Sequence, residues 1–519
     1  MLLVLAVLAA AVYLAVRRVH AWSRLRHIPG PAWAGWSNIW VIWRAWRGSL
    51  YEDLGRLCEQ HGPLIRVGPN QLVCGDPLEI RRLWAVRSDF DRSEWWKGFQ
   101  LEPGTDCTIS MRDGELHSML RSKIAPGYAG KGIDSLHETI DEQIAQFIRV
   151  LEDKYLSTEA ELKPVDFARK VQYLTLDVIS TLAFGRTFGF VEADSDLFDY
   201  IKTTEASVPL MMIICLKPLL SDLLRFPLLK ALLPSDKDVL GLGKIMAIAK
   251  DVVAERYGEK KITKRDMLGS FVSHGLSQKD AEAESLVQMY ALPPIPLYPY
   301  TPISPKNKLT PPSIAGSDTT AAVVRMGIFL ITTSPTVHKQ LQHEIDTTRL
   351  SHPATDAEAR AMPYLQACIK EIFRYSPPVT GIMPRISPRE STICNIRVPP
   401  RTDVGWSARS VFRSKEIFGD DAELYWPDRW VRQDTTSAAG KKKLLDMERT
   451  VDLVFGAGKW GCLGKPISLI ETNKIFVELL RRFDFTVVDP VRPVEEFNYG
   501  LAMHSGMFMK ISRRRGVGE

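Results

Sequence analysis

The sequence predicts a mainly α-helical domain with small β-sheets, and three features of the chain support this. Apolar residues recur every three or four positions through most of residues 134–290, which is the spacing of amphipathic helices. "GKPISLIETNKIFVELLRRF", residues 464–483, continues the pattern as one long helix. The strand-like segments do not alternate regularly with helices, which excludes a doubly wound parallel sheet. With 519 residues, 45% of them hydrophobic, the chain can bury a large core.

The amino-terminal residues 1–22 predict a transmembrane anchor. The first sixteen residues carry no charged side chain, and Arg17 and Arg18 follow them. A helix of that length measures about 24 Å, close to the ~30 Å hydrocarbon layer of a bilayer. A cleaved signal peptide is the alternative, but its basic residues would precede the apolar stretch rather than follow it. By the positive-inside rule, the rest of the chain would stay in the cytosol.

After the anchor, residues 23–49 predict a proline hinge and linker, because "HIPGP" ends the helix and stiffens the turn. Residues 50–519 then predict one large domain. Its first strands are expected in "PLIRVGP" and "QLVCG". "PATDAEARAMPYLQACIKEIFRYSPP" predicts a helical region that ends at Pro377, and "ISPRESTICNIRVPPRTDV" predicts a β-hairpin.

Charge and cysteine content exclude several classes of protein. The formal net charge of +6 is small for this length, whereas a nucleic-acid surface would cluster its basic residues. We therefore expect no nucleic-acid partner. The seven cysteines are odd in number and not closely spaced, so they indicate neither a disulfide framework nor a zinc site. A reducing compartment is expected.

Residues 290–312 do not fit the helical pattern. "LPPIPLYPYTPISPKNKLTPP" contains eight prolines, and a proline inside a helix costs about 3 kcal/mol or more. One interpretation is a polyproline-II loop that makes the chain an interaction protein for a proline-reading partner. The other, which we favour, is an atypical insertion that interrupts a single helix.

The loop "FGAGKWGCLG", residues 455–464, contains four glycines around Cys462. Glycines allow left-handed backbone and close approach to a bulky group. A helix follows at once, with Pro466 in its first turn, and the N–H groups at a helix start favour an anion such as a thiolate. The pattern is typical of a thiolate metal ligand. A buried structural cysteine in a simple glycine turn is the alternative.

Four motifs, in the same order along the chain, resemble signatures of the cytochrome P-450 family. "FGAGKWGCLG" is similar to its haem-binding loop, and "AGSDTT", residues 315–320, resembles the oxygen-binding groove of its central helix. Glu371 and Arg374 in "KEIFR" resemble the Glu-x-x-Arg pair, and "WPDRW" resembles the segment that completes this pair. "FGAGKWGCLGKPIS" and "SEWWKGFQLEPG" most resemble fungal microsomal members of the pisatin demethylase type. The resemblance implies a cytochrome P-450 fold for residues 50–519, with haem b as cofactor.

The resemblance also implies which residues carry the chemistry. Cys462 would bind the haem iron as a thiolate, and Phe455 belongs to the same cofactor-binding loop. Asp318 and Thr319 would be the catalytic residues that pass protons to the distal oxygen. A helix cap formed by Ser313 or Ser317 is the alternative for this segment.

Cationic and hydrogen-bonding residues would bind the two haem propionates. His117 and Arg121, four residues apart on one helix face, match a family segment with this role, and Arg385 matches a third position. Trp460 stands where the family usually has arginine or histidine, so it offers an indole N–H without a charge. Solvent-exposed side chains are the alternative for the cations.

Two arginines are expected around one carboxylate in the clamp that presents Cys462. Glu371 and Arg374 lie three residues apart on one helix face, and Arg429 could share the carboxylate. Trp426 and Trp430 flank Arg429 and favour burial of this group. An exposed surface pair, worth about 0–1 kcal/mol, is the alternative.

Four segments would shape the substrate pocket, namely residues 101–112, 205–218, 380–384 and 500–505. They are mainly apolar and rich in methionine, which favours a lipophilic small molecule such as a terpenoid or an aromatic secondary metabolite. Ordinary core methionines are the alternative.

These features together predict a membrane-bound haem monooxygenase. The only Gly-x-Gly-x-x-Gly match, residues 456–461, lies inside the cysteine loop, and no separate fingerprint for a flavin or nicotinamide is present, so electrons must come from a partner. The resemblance implies NADPH-cytochrome P-450 reductase, with cytochrome b5 as a further donor, and Lys459 and Lys465 are expected to dock its acidic face. The implied location is the endoplasmic reticulum membrane, single-pass, with a cytosolic catalytic domain. A haem-binding chain impaired by residues 290–312 is the alternative.

Overall fold

A computed structural model describes most of the chain. It covers residues 2–100, 104–197, 200–224, 226, 241–258, 264–289 and 316–514. The proline-rich insertion predicted at residues 290–312 lies outside the described residues, as does Ala315 of the "AGSDTT" motif.

The described chain is predominantly helical, as its sequence predicts. The α-helices are α1 (Leu2–Arg24), α2 (Ile39–Trp46), α3 (Leu50–His61), α4 (Pro77–Leu83), α5 (Gly114–Tyr128), α6 (Leu136–Val150), α7 (Phe167–Phe184), α8 (Phe190–Ala193), α9 (Tyr200–Leu216), α10 (Pro218–Leu223), α11 (Gly241–Tyr257), α12 (Met267–Ser273), α13 (Gln278–Met289), α14 (Asp318–Thr332), α15 (Pro335–Thr347), α16 (Asp356–Arg360), α17 (Pro363–Tyr375), α18 (Ala408–Phe412), α19 (Lys415–Phe418), α20 (Asp428–Val431), α21 (Ala438–Val451) and α22 (Lys465–Leu480). Three 3₁₀ turns, Glu94–Phe99, Asp452–Phe455 and Gly458–Trp460, and a π turn, Leu151–Tyr155, connect them.

The strands are short and form small sheets. They are β1 (Leu64–Gly68), β2 (Gln71–Cys74), β3 (Asp91–Arg92), β4 (Val165–Asp166), β5 (Arg385–Ile386), β6 (Ser391–Ile393), β7 (Ile396–Val398), β8 (Asp403–Trp406), β9 (Phe483–Val487), β10 (Glu495–Asn498), β11 (Ala502–Ser505) and β12 (Phe508–Arg513). The largest sheet has the order β1-β2-β8-β5-β3, in which only the β2–β8 pair is parallel. The others are β4-β12-β9 and the hairpins β6-β7 and β10-β11.

Most of the predicted elements are confirmed. The segments "PLIRVGP" and "QLVCG" form β1 and β2, and the expected hairpin is β6-β7. The helical region that ends before Pro377 is divided into α16 and α17, because Pro363 begins a new helix in its first turn, where the missing N–H is tolerated.

Three helices pack closely in the core and support the candidate site. Almost every residue of α7, α14 and α22 is buried. Gly327 of α14 allows the closest approach, since a Cβ there would lie 2.2 Å from the Phe476 ring and 2.8 Å from Ile372 Cδ1. The helix α14 is therefore pressed against α22, which begins three residues after Cys462, and against α17, which carries Glu371 in its second half.

A membrane-spanning helix must be both long enough and apolar enough to cross the bilayer. No single helix in the described part of the chain satisfies both criteria, whereas α14 and α15 do so jointly across a bend of 105°. The anchor over residues 1–22 and the boundaries of the hinge stay predictions.

Candidate active site

The loop before α22 brings Cys462 to the start of a long, buried helix. Two 3₁₀ turns fold the loop back on itself, and the Cys462 N–H donates to Phe455 O at 2.7 Å. Gly456 and Gly458 have φ of +68° and +66°, and a Cβ at Gly458 would lie 2.5 Å from Trp84 O. Left-handed backbone is therefore required at two of the four glycines. Gly461 and Gly464 have ordinary negative φ values.

The sulfur of Cys462 is held where it can accept charge and reach a ligand. Cys462 is exposed, whereas the other six cysteines are buried or half-buried. Protein surrounds its remaining sides, so burial raises the pKa of the Cys462 thiol. The backbone N–H groups of Gly464 and Lys465 and the Arg121 guanidinium oppose that shift, because they stabilise a thiolate. This donor set suits a sulfur that ligates a metal.

Two buried arginines face each other across the sheet near this loop. Arg92 of β3 and Arg385 of β5 are direct cross-strand partners. The pKa of each guanidinium is lowered to about 9, chiefly by burial, and for Arg92 the nearby Arg385 contributes to this shift. Arg92 donates to the carbonyls of Thr108 and Ile109 at 2.6 and 2.7 Å rather than to a carboxylate. Like charges opposite each other on buried strands are unfavourable unless an anion lies between them.

Buried nitrogen atoms without a partner lie beside these arginines. Neither ring nitrogen of His117 nor the indole nitrogen of Trp460 has a hydrogen-bond partner among the described residues, although both side chains are buried. Their rings are 4.2 Å apart, and the Arg92 guanidinium lies 4.4 Å from the Trp460 ring. Burial and the neighbouring Arg92, Arg121 and Lys459 lower the pKa of His117 to about 3. These side chains fit a bound group that carries two carboxylates and accepts hydrogen bonds, such as haem.

Three side chains hold the shape of the cysteine loop. Arg121 donates to Gly461 O at 2.6 Å, so it already braces the cysteine loop. The Phe455 ring packs edge-on against Phe373 of α17, with centroids 5.1 Å apart. Arg385 makes a long hydrogen bond of 3.3 Å to Ala457 O, also in the loop.

The predicted clamp is a fully buried network, so the alternative of an exposed surface pair is wrong. Arg374 Nη2 and Arg429 Nε donate to Glu371 Oε1 at 2.7 and 3.0 Å, and the three side chains are at most 1% exposed. Trp426 N and Trp430 Nε1 each donate to the same carboxylate at 2.9 Å. The charged groups are thereby compensated in the interior, which makes the network a rigid support for α17 and its contact with Phe455.

Asp318 and Thr319 occupy the start of α14, with Ser317 at the N-cap position. Asp318 is buried, and its Oδ1 accepts from Gln172 Nε2 at 2.7 Å, while Thr319 is half-buried. Gly316 precedes the helix instead of lying within it. The next residue, Thr320, contacts Ser468 of α22 at 3.1 Å between the two hydroxyl oxygens. The motif therefore lies beside the first turns of the helix that follows Cys462.

Three of the four segments predicted to shape a substrate pocket lie in contact with one another. A Cβ at Gly500 would lie 2.5 Å from the Met212 Cε, and one at Gly381 would lie 3.4 Å from the same atom. The Thr380 and Gly381 N–H groups donate to Gly500 O at 2.9 and 2.8 Å. Met212 thus joins residues 205–218, 380–384 and 500–505 in one apolar cluster.

Comparison with known proteins agrees with this geometry. The family model described as cytochrome P-450 matches residues 307–509, which include the clamp and the cysteine loop. The cytochrome P-450 monooxygenase ABA1 of Pyricularia oryzae is 35% identical over 520 residues, covering 97% of this chain and 96% of the relative. The chain belongs to the cytochrome P-450 family. The monooxygenase aba1 of Botryotinia fuckeliana is 30% identical, covering 95% of this chain and 93% of the relative. The monooxygenase abl1 of Leptosphaeria maculans is 31% identical, covering 93% and 82%.

Family membership confirms an oxygenase enzyme that uses haem-thiolate iron, and a fungal type of cytochrome P-450. The individual roles predicted for Cys462, His117, Arg121, Arg385, Trp460, Phe455, Asp318 and Thr319 stay predictions, as does the likeness to pisatin demethylase. The structure brings Arg385, His117 and Trp460 together around Arg92. Asp318 and Thr319 belong to a separate group of contacts around α14.

Two polar residues of the site were not predicted from the sequence. Arg92 is identified by its cross-strand pairing with Arg385, which is remote in the sequence, and no local pattern marks it. Glu471, within the long helix α22, is buried and hydrogen-bonded to Thr320, and burial raises its pKa to about 8. A carboxylate nine residues after Cys462, directly after the mainly apolar segment "ISLI", was the available signal.

The expected docking role of Lys459 and Lys465 does not fit the structure. Lys459 is paired with Asp91, and Lys465 with Asp452 at 2.9 Å, and both lysines are only partly exposed. Their charges are compensated within the chain, so they do not present an uncompensated basic surface to a partner.

Proposed function

We propose that this protein is a membrane-bound monooxygenase that inserts one oxygen atom of dioxygen into a lipophilic small molecule. The observation that carries the proposal is the geometry of Cys462, an exposed residue whose sulfur receives two backbone N–H groups at the start of α22. When bound there, haem supplies the oxygen activation that a thiolate-ligated iron supports.

The chain's own residues would perform four tasks. Cys462 ligates the iron, and the Gly464 and Lys465 N–H groups keep its sulfur charged. Arg92 and Arg385 neutralise the propionates, with which the unpartnered nitrogens of His117 and Trp460 can form hydrogen bonds. Asp318 and Thr319 would deliver the protons that the reaction consumes. The apolar cluster around Met212 orients the substrate and excludes water.

The substrate class is proposed from the lining of this cluster. Met211, Met212, Ile382 and Met503 are buried, and none of them carries a charge or a strong hydrogen-bonding group. Flexible thioethers adapt to irregular apolar shapes, which suits a terpenoid or an aromatic secondary metabolite. A lipophilic compound of this kind should displace water from the site and shift the haem absorption band on binding.

Location in the endoplasmic reticulum membrane is proposed from two features. The first sixteen residues are uncharged and apolar. Large apolar side chains are also exposed on neighbouring segments, at Trp33, Ile39, Trp43 and Leu219. Removal of residues 2–22 should reduce co-flotation with vesicles, and a second variant in which Trp33 and Trp43 are also replaced by serine should release the protein further. Unchanged flotation of both variants would contradict the membrane proposal.

Electrons are proposed to come from NADPH-cytochrome P-450 reductase, with cytochrome b5 as a further donor. The one Gly-x-Gly-x-x-Gly match, residues 456–461, forms the cysteine loop and follows a 3₁₀ turn rather than a strand, so it is not a nucleotide-binding motif and reduction requires a separate protein. Purified reductase and NADPH should reduce the haem, and NADPH alone should not.

One spectrum tests the haem assignment directly. The purified full chain, reduced under carbon monoxide, should show the red-shifted Soret band of a thiolate ligand. Cys462→Ser should abolish that band, while the matched control Cys394→Ser, a half-buried cysteine in the β6-β7 turn, should retain it. Persistence of the same spectrum in Cys462→Ser would overturn the assignment.

An impaired chain is a second candidate, and one observation favours it. Described helix α13 ends at Met289 and α14 begins only at Asp318, so Gly316 stands outside the helix whose groove the motif is expected to form. Such a chain would bind haem and show the thiolate band, yet consume NADPH without forming an oxidised product.

A further inference from the structure

A buried chain of polar side chains links Asp318 to an arginine two helical turns away. Gln172 of α7 donates from Nε2 to Asp318 Oδ1 at 2.7 Å. The same amide accepts at Oε1 from Arg325 Nη2 at 3.1 Å. All three side chains are at most 5% exposed, so water cannot easily replace either hydrogen bond.

The spacing of the two charged residues explains why an amide lies between them. Asp318 and Arg325 are seven residues apart in α14, which places them on one helix face about 10.5 Å apart along the axis. That separation is too long for a direct contact without bending both side chains. Gln172, on the helix that packs against this face, spans the gap with a donor at one end and an acceptor at the other.

The surrounding charges permit only one orientation of the Gln172 amide. Its oxygen faces two guanidinium groups, because Arg169 Nη1 also donates to Oε1 at 3.2 Å. A flipped amide would place NH₂ against both guanidiniums and an oxygen against the carboxylate, which is unfavourable at both ends. Arg325 is itself fixed by donation from Nε to Ala168 O at 2.8 Å. The carboxylate of Asp318 is therefore aimed by a preorganised donor.

We propose that Gln172, braced by Arg325, is a positioning residue that sets the orientation and negative charge of Asp318 for proton delivery. This inference rests on the proposed function, in which Asp318 carries protons to the distal side. Gln172 would contact neither haem nor substrate, and it acts through the Asp318 carboxylate that it holds. Loss of the donor should slow proton-dependent steps without disturbing the cysteine loop.

Reductase-driven NADPH oxidation without added substrate provides the first readout. Each NADPH, together with one proton from solvent, reduces one dioxygen to hydrogen peroxide, so the reaction depends on proton uptake. Gln172→Glu keeps the size of the side chain and its acceptor toward Arg325, but it replaces the donor with an oxygen that repels Asp318. We expect NADPH oxidation to slow by about tenfold, with a larger solvent deuterium isotope effect.

A stability measurement tests the contact independently of activity. Gln172→Glu and Asp318→Asn should each lower the melting temperature. The double variant restores a donor and an acceptor in the reverse order, so it should recover most of that loss. It should not recover NADPH oxidation, because the carboxylate needed at position 318 is absent. Gln366→Glu, which disturbs a glutamine bonded to Ala359 O and Asn473, is the matched control and should keep the wild-type rate and isotope effect.

The outcomes separate this inference from the function on which it rests. No thermal recovery in the double variant, or a wild-type rate and isotope effect in Gln172→Glu, would overturn the positioning role. If Gln172→Glu does not fold, Gln172→Asn, whose amide is one methylene too short, serves in the rate and isotope measurements with the same expected direction. Absence of the thiolate band in the wild-type protein would instead remove the proposed function, and the inferred purpose of the pair with it.

Discussion

Glu471 is neutral over most of the physiological pH range because the fold removes its carboxyl group from water. Burial raises its pKa from 4.5 to about 8, and a hydrogen bond with Thr320 offsets only part of that shift. The folded state therefore binds a proton that the unfolded chain releases between these two pH values. By linkage, the stabilising effect of this proton is complete below pH 4.5 and is lost as the pH rises through 8.

Glu471→Gln should make stability less dependent on pH. The variant cannot ionise, so its melting temperature should match that of the wild type near pH 4.5 and exceed it progressively up to pH 8. Thermal unfolding of the holoenzyme at several pH values measures the difference. Glu142→Gln, at an exposed position of α6, is the control and should follow the wild type throughout. A constant offset at all pH values would contradict the raised pKa.

Single residues were predictable from sequence where the chemistry lies within one short segment. Cys462, its glycines and Pro466 are contiguous, so their common purpose is visible before folding. The roles of Arg92 and Gln172 depend on partners on other elements, namely Arg385 and Asp318. Neither helix or strand periodicity nor a capping motif identifies such residues in the sequence, because their environment is created by tertiary packing.

At the scale of elements, the clamp shows how burial changes the value of an ion pair. The sequence spacing of Glu371 and Arg374 fits a weak surface pair equally well, and only the flanking tryptophans favoured the interior. The structure encloses the carboxylate with two guanidiniums, an indole N–H and a backbone N–H. Removal of one member leaves charged groups buried without compensation, which is costly.

Arg429→Met should destabilise the protein by about 3–5 kcal/mol, because Glu371 and Asp421 both lose a guanidinium partner. Denaturant unfolding measures the loss. Arg265→Met removes an arginine that is mostly exposed and pairs with Asp134, which is also mostly exposed, so it should change stability by about 1 kcal/mol or less. Equal effects of the two variants would show that the buried network contributes no more than a surface pair.

The pairing of β3 with β5 leads to a prediction about haem retention. Arg385 is held by one long hydrogen bond and the face of Trp84, so little of the fold depends on it. The charge of Arg385 would chiefly stabilise an anion that lies between Arg385 and Arg92. Arg385→Met should therefore leave the melting temperature of the haem-free protein unchanged or raised.

The same variant should lose haem about tenfold faster, since a hydrogen bond to a charged group contributes about 1.5–3 kcal/mol. Haem transfer to an acceptor protein in excess measures the rate. Arg389→Met, at a strongly exposed position just beyond β5, should release haem at the wild-type rate. A wild-type rate in Arg385→Met would exclude this arginine from propionate binding.

For the whole molecule, the sequence predicted a helical protein with small sheets because helical periodicity persists through most of the chain. The sequence did not predict how the helices on either side of residues 290–312 would be connected. α13 and α14 both contact α7, and the proline-rich residues 290–312 lie in the chain between them. The eight prolines of that segment predict a break in any helix that would join α13 to α14.

Deletion of residues 290–312 should increase the fraction of purified protein that shows the thiolate band, because the shortened chain has no helix breaker between "ESLVQM" and the "AGSDTT" motif. A second variant replaces the same residues by a glycine-serine linker of equal length, which removes the prolines but keeps the extra chain. Since a flexible loop costs little more as it lengthens, this variant should resemble the full chain if helix continuity is what matters. A deletion that lowers haem content below that of both other proteins would instead show that the tract is an integral part of the fold.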